Sequence, residues 1–156
     1  MALERRPVDR GSLRALFRLK VLENQQPLVA PNEITIAQQA YEPASAVWGL
    51  WDGETAVGLL AMIDMSRYPD PEEADDRKSA YIWRLMIGAD YQGKGYGRAA
   101  IAEAEVVARE WGLSRLSLSF VDVEDGAEGF YLRNGFVRTG HLIDGEVQMV
   151  KILSDT

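Results

Sequence analysis

Cysteine is absent from the 156 residues, and histidine occurs once. The first absence excludes a disulfide framework, a thiolate metal site and a cysteine nucleophile. The second excludes a zinc site built from several histidines. A Ser-His-Asp triad would have to use His141, and no G-x-S-x-G elbow supplies its serine; His141 is expected to be an ordinary polar residue of a late strand. Long apolar runs are also lacking. The longest, Val57 to Ile63, is far too short to cross a bilayer. Arg5, Arg6 and Arg10 have no apolar stretch behind them, and Glu4 and Asp9 interrupt them, so neither a signal nor a transit peptide is expected. Positive charge is in deficit: 17 Lys and Arg stand against 24 Asp and Glu, a net charge of −7. Nucleic acid and anionic membranes are therefore not expected as partners, whereas a cationic substrate would be attracted. A soluble cytoplasmic protein is expected, and a homodimer is compatible with the sequence.

What is present is an ordinary globular composition, 47% apolar, in a length that fits one domain over residues 1–156. The most polar stretch, PDPEEADDRK at Pro69 to Lys78, is expected to be an exposed loop. Periodicity and breakers predict a strand at Leu3 to Val8. Asp9 caps a helix running to about Val21, with Leu13, Leu16, Phe17 and Val21 on one face. A second helix covers Ile34 to about Tyr41. Strands Ala46 to Trp51 and Thr55 to Met65 flank the hairpin signal Asp52-Gly53. A strand at Ala80 to Ile87, a glycine-rich turn and a helix from about Gly95 to Trp111 follow, then a strand at Leu116 to Val121. A weak helix, burdened by Gly126 and Gly129 at roughly 1 kcal/mol each, spans Glu124 to Arg133. A final hairpin joins Phe136 to Ile143 with Glu146 to Leu153. The order is βααββ, βαβ, αββ: a mixed, mostly antiparallel α/β sheet with one parallel crossover.

The glycine turn carries the chemistry. QGKGYGRAA, Gln92 to Ala100, joins a buried strand to a helix N-terminus. Three glycines in five positions let several N–H groups converge, and the helix adds partial positive charge, so the turn suits a phosphate. Lys94 and Arg98 reinforce it. A P-loop fits at Gly88, Gly93 and Lys94, but Gly95 replaces the hydroxyl that would hold magnesium. A dinucleotide fingerprint forced onto Gly95, Gly97 and Ala100 starts too far from the strand end, and its acidic residue, Asp122, lies too far downstream.

The remaining pattern, Gln92, Gly95 and Gly97 as Gln-x-x-Gly-x-Gly, resembles the pyrophosphate-binding motif of the GCN5-related N-acetyltransferases. YIWRLMI before it and FYLRNGF at Phe130 to Phe136 after it are similar to the family's flanking segments. LKVLENQQPLVAPNEITIAQQAY, Leu19 to Tyr41, and WRLMI followed by YQGKGYG look like bacterial spermine/spermidine acetyltransferases. The resemblance implies a single-domain fold of that family and transfer of acetyl from acetyl-CoA to a small-molecule amine, with a polyamine leading; no metal is implied. It also implies that backbone groups of Leu85, Met86 and Ile87 bind the pantetheine arm. Gln92, Gly93, Lys94, Gly95, Tyr96, Gly97 and Arg98 would hold the pyrophosphate, and Tyr131 would protonate the departing thiolate. Two positions depart from the family pattern. Glu124 stands where an asparagine commonly contacts the cofactor, and Trp83 and Arg84 occupy the region of a frequent strand glutamate. Glu33, Asp64 and Glu146 are candidates to bind or deprotonate the amine. Another amine acceptor (an aminoglycoside, an amino acid or a protein amine) and a non-catalytic acyl-CoA-binding module stay open as alternatives.

Overall fold

The computed structural model describes residues 2–154, so the outermost ends of the expected domain lie outside the described residues. Seven strands form one sheet: β1 (Leu3–Pro7), β2 (Ser45–Asp52), β3 (Thr55–Asp64), β4 (Ser79–Ile87), β5 (Arg115–Phe120), β6 (Val137–Ile143) and β7 (Glu146–Ile152). Their spatial order is β1-β2-β3-β4-β5-β7-β6. Only β4 and β5 run parallel, joined through helix α3 (Tyr96–Glu110). The expected mixed sheet with one parallel crossover is therefore the fold. The sheet has two antiparallel halves: β1 to β4 follow one another in sequence, whereas β7 lies between β5 and β6 and pairs with both.

Helices α1 (Leu13–Arg18) and α2 (Asn32–Gln39) cover one face, and α3 and α4 (Glu128–Arg133) cover the other. Ala100, Ile101, Ala104, Val107 and Ala108 of α3 are buried against β3, β4 and β5 residues such as Leu60, Met62, Ile82, Leu116 and Leu118. A smaller cluster of Leu16, Ala56, Leu59 and Met86 lies under α1 and α2. β3 is therefore buried on both faces along nearly its whole length.

The helices differ from expectation chiefly at their ends. Asp9 and Ser12 exchange hydrogen bonds, Ser12 N–H to Asp9 Oδ1 at 2.9 Å and Asp9 N–H to Ser12 Oγ at 3.0 Å, but these close the turn before α1, whose N-cap is Ser12 and not the expected Asp9. α1 also stops at Arg18, not Val21. The chain turns extended at Leu19, and Ala89 N–H bonds to Lys20 O at 2.7 Å, so a tertiary contact overrides the helical pattern. α2 starts at Asn32 because Pro31 O already accepts the N–H groups of Ile34 and Thr35. Gly95 precedes α3 in a left-handed conformation, φ +90°, and does not open the helix. α4 starts at Glu128, since Asp125 (φ +58°) and Gly126 form a turn back to Val123 O.

Candidate active site

Parallel pairing of β4 and β5 is confined to three residue pairs: Ser79–Arg115, Ala80–Leu116 and Tyr81–Ser117. Past Tyr81 the two strands diverge. The register between β3 and β4 shifts at the same place, where Ala61 pairs with Arg84 but Met62 with Ile82, so Trp83 is an inserted residue. Such a bulge bends and twists the strand that carries it. Beyond it, Leu85, Met86 and Ile87 pair with Leu60, Leu59 and Gly58 on one side only. The other edge offers backbone N–H and C=O groups to the opening, as an unpaired strand does.

The opening leads to the glycine turn. Gly93 and Gly95 have φ +74° and +90°, which for another residue costs about 1–2 kcal/mol. The N–H groups of Tyr96, Gly97 and Arg98 precede the first intrahelical bond, donated by Ala99 N–H to Gly95 O, and are free to meet an anion. Lys94 and Arg98 are exposed, and no ion pair engages either among the described residues. The donor set suits a pyrophosphate. Two side chains of the motif have other tasks. Gln92 Nε2 donates to Ile87 O and to Gln25 Oε1, both at 2.9 Å, and Gln25 Nε2 returns a bond to Gln92 Oε1. The Tyr96 hydroxyl donates to Asp52 Oδ2 at 2.6 Å. Gln25, which the sequence did not single out, thus clamps the turn. Gly97 packs tightly on Phe130: a Cβ there would lie 3.0 Å from the ring, which would have to give way. The turn is thereby in contact with the residue before Tyr131.

Tyr131 lies on the α3 side of the sheet, its ring 6.3 Å from Phe120, 5.4 Å from Phe130 and 5.7 Å from Phe136. Burial, with a smaller contribution from Tyr81, pushes its phenol up to about 12. The hydroxyl stays protonated at any ordinary working pH and can act as a donor. Glu124 is exposed in the loop before α4.

The three carboxylates do not converge. Residues opposite one another in a ladder share a face. Asp64 pairs with Ala80, so it sits on the α3 face, buried, with Oδ1 holding Ser66 N–H and Oγ–H at 3.0 and 2.6 Å. Glu33 lies on α2, across the sheet. Its Oε1 is 3.6 Å from Lys20 Nζ, and its Oε2 is buried without a hydrogen-bond partner. Glu146 opens β7, and its Oε1 accepts the Ser119 hydroxyl at 3.1 Å. Ser119 Oγ lies 2.6 Å from the Tyr81 hydroxyl. Tyr81 pairs with Ile63, so it shares the α1–α2 face with Arg84, which pairs with Ala61. A groove of about 560 Å³ opens on this face between Gln38, Tyr41 and Glu42 on one wall and Trp83 and Arg84 on the other. The Arg84 guanidinium stacks over Trp83 at 5.0 Å and donates to Gln38 Oε1 at 3.4 Å. Burial lowers its pKa, an effect that Tyr81 and Glu146 oppose.

Residues 13–136 match the model of the acetyltransferase (GNAT) family. The spermine/spermidine N(1)-acetyltransferase of Bacillus subtilis is 29% identical over 98% of this chain and all of its own length. Rat N-acetyltransferase 8F1 is 27% identical over 60% of this chain, and the match spans only 40% of that relative. Among solved structures, a spermidine N-acetyltransferase SpeG chimera of the Vibrio cholerae protein and hSSAT superposes with a TM-score of 0.69 at 23% identity, covering 97% of this chain and 96% of the other. The PaiA N-acetyltransferase of Thermoplasma acidophilum, solved in complex with coenzyme A, gives 0.66 at 18% identity, covering 97% and 99%.

Proposed function

The chain belongs to the acetyltransferase (GNAT) family, and from that premise we propose that it transfers acetyl from acetyl-CoA to a primary amine of a polyamine. The observation that carries the cofactor half is the free edge of Leu85 to Ile87 ending in the Gly93–Arg98 turn, since amide-pairing groups lead directly to an anion cradle. Acetyl-CoA supplies the activated acetyl thioester. The backbone of Leu85, Met86 and Ile87 pairs with the pantetheine amides. Gln92, Gly93, Lys94, Gly95, Tyr96, Gly97 and Arg98 hold the pyrophosphate, chiefly through their N–H groups and the two exposed cations.

Tyr131 donates its hydroxyl proton toward sulfur from the α3 side. The acceptor enters from the opposite face, where the groove beside Trp83 lies. The nitrogen thus reaches one face of the planar thioester carbonyl, and Tyr131 meets the sulfur as it leaves. Glu146 and Glu42 on that face, with Glu33 farther along α2, supply negative charge for a polycation. Asp64 faces the other way and contributes through the turn it holds. The full-length likeness to the Bacillus subtilis polyamine enzyme supports the acceptor class.

A second reading is favoured by one observation: Arg84 lines the groove without a carboxylate at ion-pair distance among the described residues. Such a guanidinium suits an acceptor that itself bears a carboxylate, as an amino acid does. The deciding assay is CoA release with spermine, spermidine, butylamine, lysine and an aminoglycoside at low and high salt. The polyamine reading requires spermine and spermidine to lead in kcat/KM and to lose ground as salt screens the groove. Faster turnover of lysine selects the second reading. Tight CoA binding without turnover of any amine rejects both in favour of a non-catalytic module.

A further inference from the structure

The acceptor amine must shed a proton before it attacks, since alkylammonium groups have a pKa near 10, and Trp83 and Arg84 fill the strand positions beside the opening. The side chains at the fork of β4 and β5 supply a route. Glu146 accepts only, when ionised. The Ser119 hydroxyl has one hydrogen and gives it to Glu146 Oε1 at 3.1 Å. The 2.6 Å contact between Tyr81 and Ser119 must therefore run with Tyr81 as donor. That ordering leaves a lone pair of the Tyr81 oxygen free. Tyr81 also sits where strand pairing ends and on the face from which the acceptor enters.

The geometry points to Tyr81, Ser119 and Glu146 as a proton relay that deprotonates the acceptor, with Tyr81 touching the amine and Ser119 and Glu146 acting through it. This rests on the acetyltransferase reading above. The ammonium gives one proton to the Tyr81 oxygen as the Tyr81 proton moves to Ser119 and the Ser119 proton to Glu146. The neutral nitrogen then forms its bond to the acetyl carbon as the carbon–sulfur bond breaks. Nitrogen's second surplus proton leaves to solvent, balancing the one Tyr131 gives to sulfur. Glu146 returns its proton to water. The charged and titratable groups around the relay are Arg84 on β4, Asp75 in the loop before β4 and Tyr131 on α4.

The test compares Glu146→Gln, Ser119→Ala and Tyr81→Phe with the wild type, using butylamine and trifluoroethylamine; the fluorines leave the latter neutral at pH 7. General-base assistance is commonly worth 10²–10⁴-fold. Each variant should lose at least about 10²-fold in kcat/KM for butylamine at pH 7, with the deficit closing toward pH 10, where the free amine is abundant. For trifluoroethylamine, Glu146→Gln and Ser119→Ala should lose less than about threefold. A readout independent of turnover is spermidine binding to the CoA complex by calorimetry, which Tyr81→Phe should weaken about tenfold while CoA affinity and Tm hold. Equal losses for both amines, or a deficit unchanged by pH, would mean that the three residues only brace the fork, and the relay would be rejected with acetyl transfer intact. Absence of wild-type turnover with any amine would instead remove the reading on which the relay rests.

Discussion

Replacing Tyr131 with phenylalanine deletes one oxygen and keeps the ring that Phe120, Phe130 and Phe136 surround. Folding should barely notice, because no protein group is hydrogen-bonded to that oxygen among the described residues. Catalysis should notice, by an amount the phenol's acidity limits. Its pKa of about 12 exceeds that of an alkyl thiol, near 8.5, by about 3.5 units, so complete transfer to the thiolate is uphill by roughly 5 kcal/mol. Tyr131 therefore stabilises the departing sulfur mainly as a hydrogen-bond donor and completes the transfer only as solvent reprotonates it. A hydrogen bond to a charged group is worth about 1.5–3 kcal/mol. The expected fall in kcat is accordingly about 10- to 150-fold, with CoA affinity and Tm unchanged. Steady-state kinetics of CoA release, calorimetric CoA titration and a thermal melt together decide it. A kcat within a factor of two of wild type would refute the acid role. So would a large fall in Tm, which would mean that the hydroxyl holds the core together.

Tyr131 also makes stability sensitive to alkali. Its folded pKa lies above the unfolded value of 10, so its contribution is complete below pH 10 and drains away as pH rises to about 12, by roughly 3 kcal/mol. Urea melts at pH 9 and 12 should show a loss larger in the wild type than in Tyr131→Phe by about this amount, since Tyr81, also raised by burial, contributes to both. Gly95→Glu should abolish measurable CoA binding, since a carboxylate would enter the anion cradle, yet lower stability only by the left-handed backbone cost of about 1–2 kcal/mol; CoA titration beside a urea melt checks both halves. Asn32→Ala should cost about 1–3 kcal/mol, because the buried Asn32 amide donates to Leu16 O at 2.8 Å and its loss leaves that carbonyl only the longer bond from Leu19 N–H at 3.3 Å, while CoA affinity stays put. Arg84→Gln should raise the ratio of spermidine to lysine turnover, by removing the one arginine that lines the groove.

Most of the fold was legible because its signals are local. Asp52-Gly53 marks the first hairpin, and Gly53 has the positive φ, +60°, that such turns need. The glycine turn was legible for the same reason, since its three glycines and two cations are contiguous. Signals between distant residues were not. The helical turn over Glu23–Leu28 has no apolar period and contains Pro27, yet it brings Gln25 to Gln92, 67 positions away. The inserted Trp83 leaves no trace in a run of apolar residues, although it redirects the strand. The orientation of Asp64 could not be read, because β3 is buried on both faces and shows no alternation. Ser119 looked like filler in an apolar strand. Its meaning comes from Tyr81 and Glu146, 38 and 27 residues away.

The three-pair junction of β4 and β5 also bears on how the molecule opens. Two sheet halves, β1 to β4 and β5 to β7, meet along a seam shorter than any other complete ladder in the sheet, bridged by α3. The backbone amides of residues 79–81 and 115–117 form that seam, so their hydrogen exchange should report the two halves parting ahead of global unfolding. A ligand lying along the free edge acts as a splint, an eighth strand supplied from outside. At one hundred times its dissociation constant it adds about 2.7 kcal/mol to the cost of parting, roughly a hundredfold slowing of exchange at those amides. The cofactor would then be part of the sheet as well as its cargo.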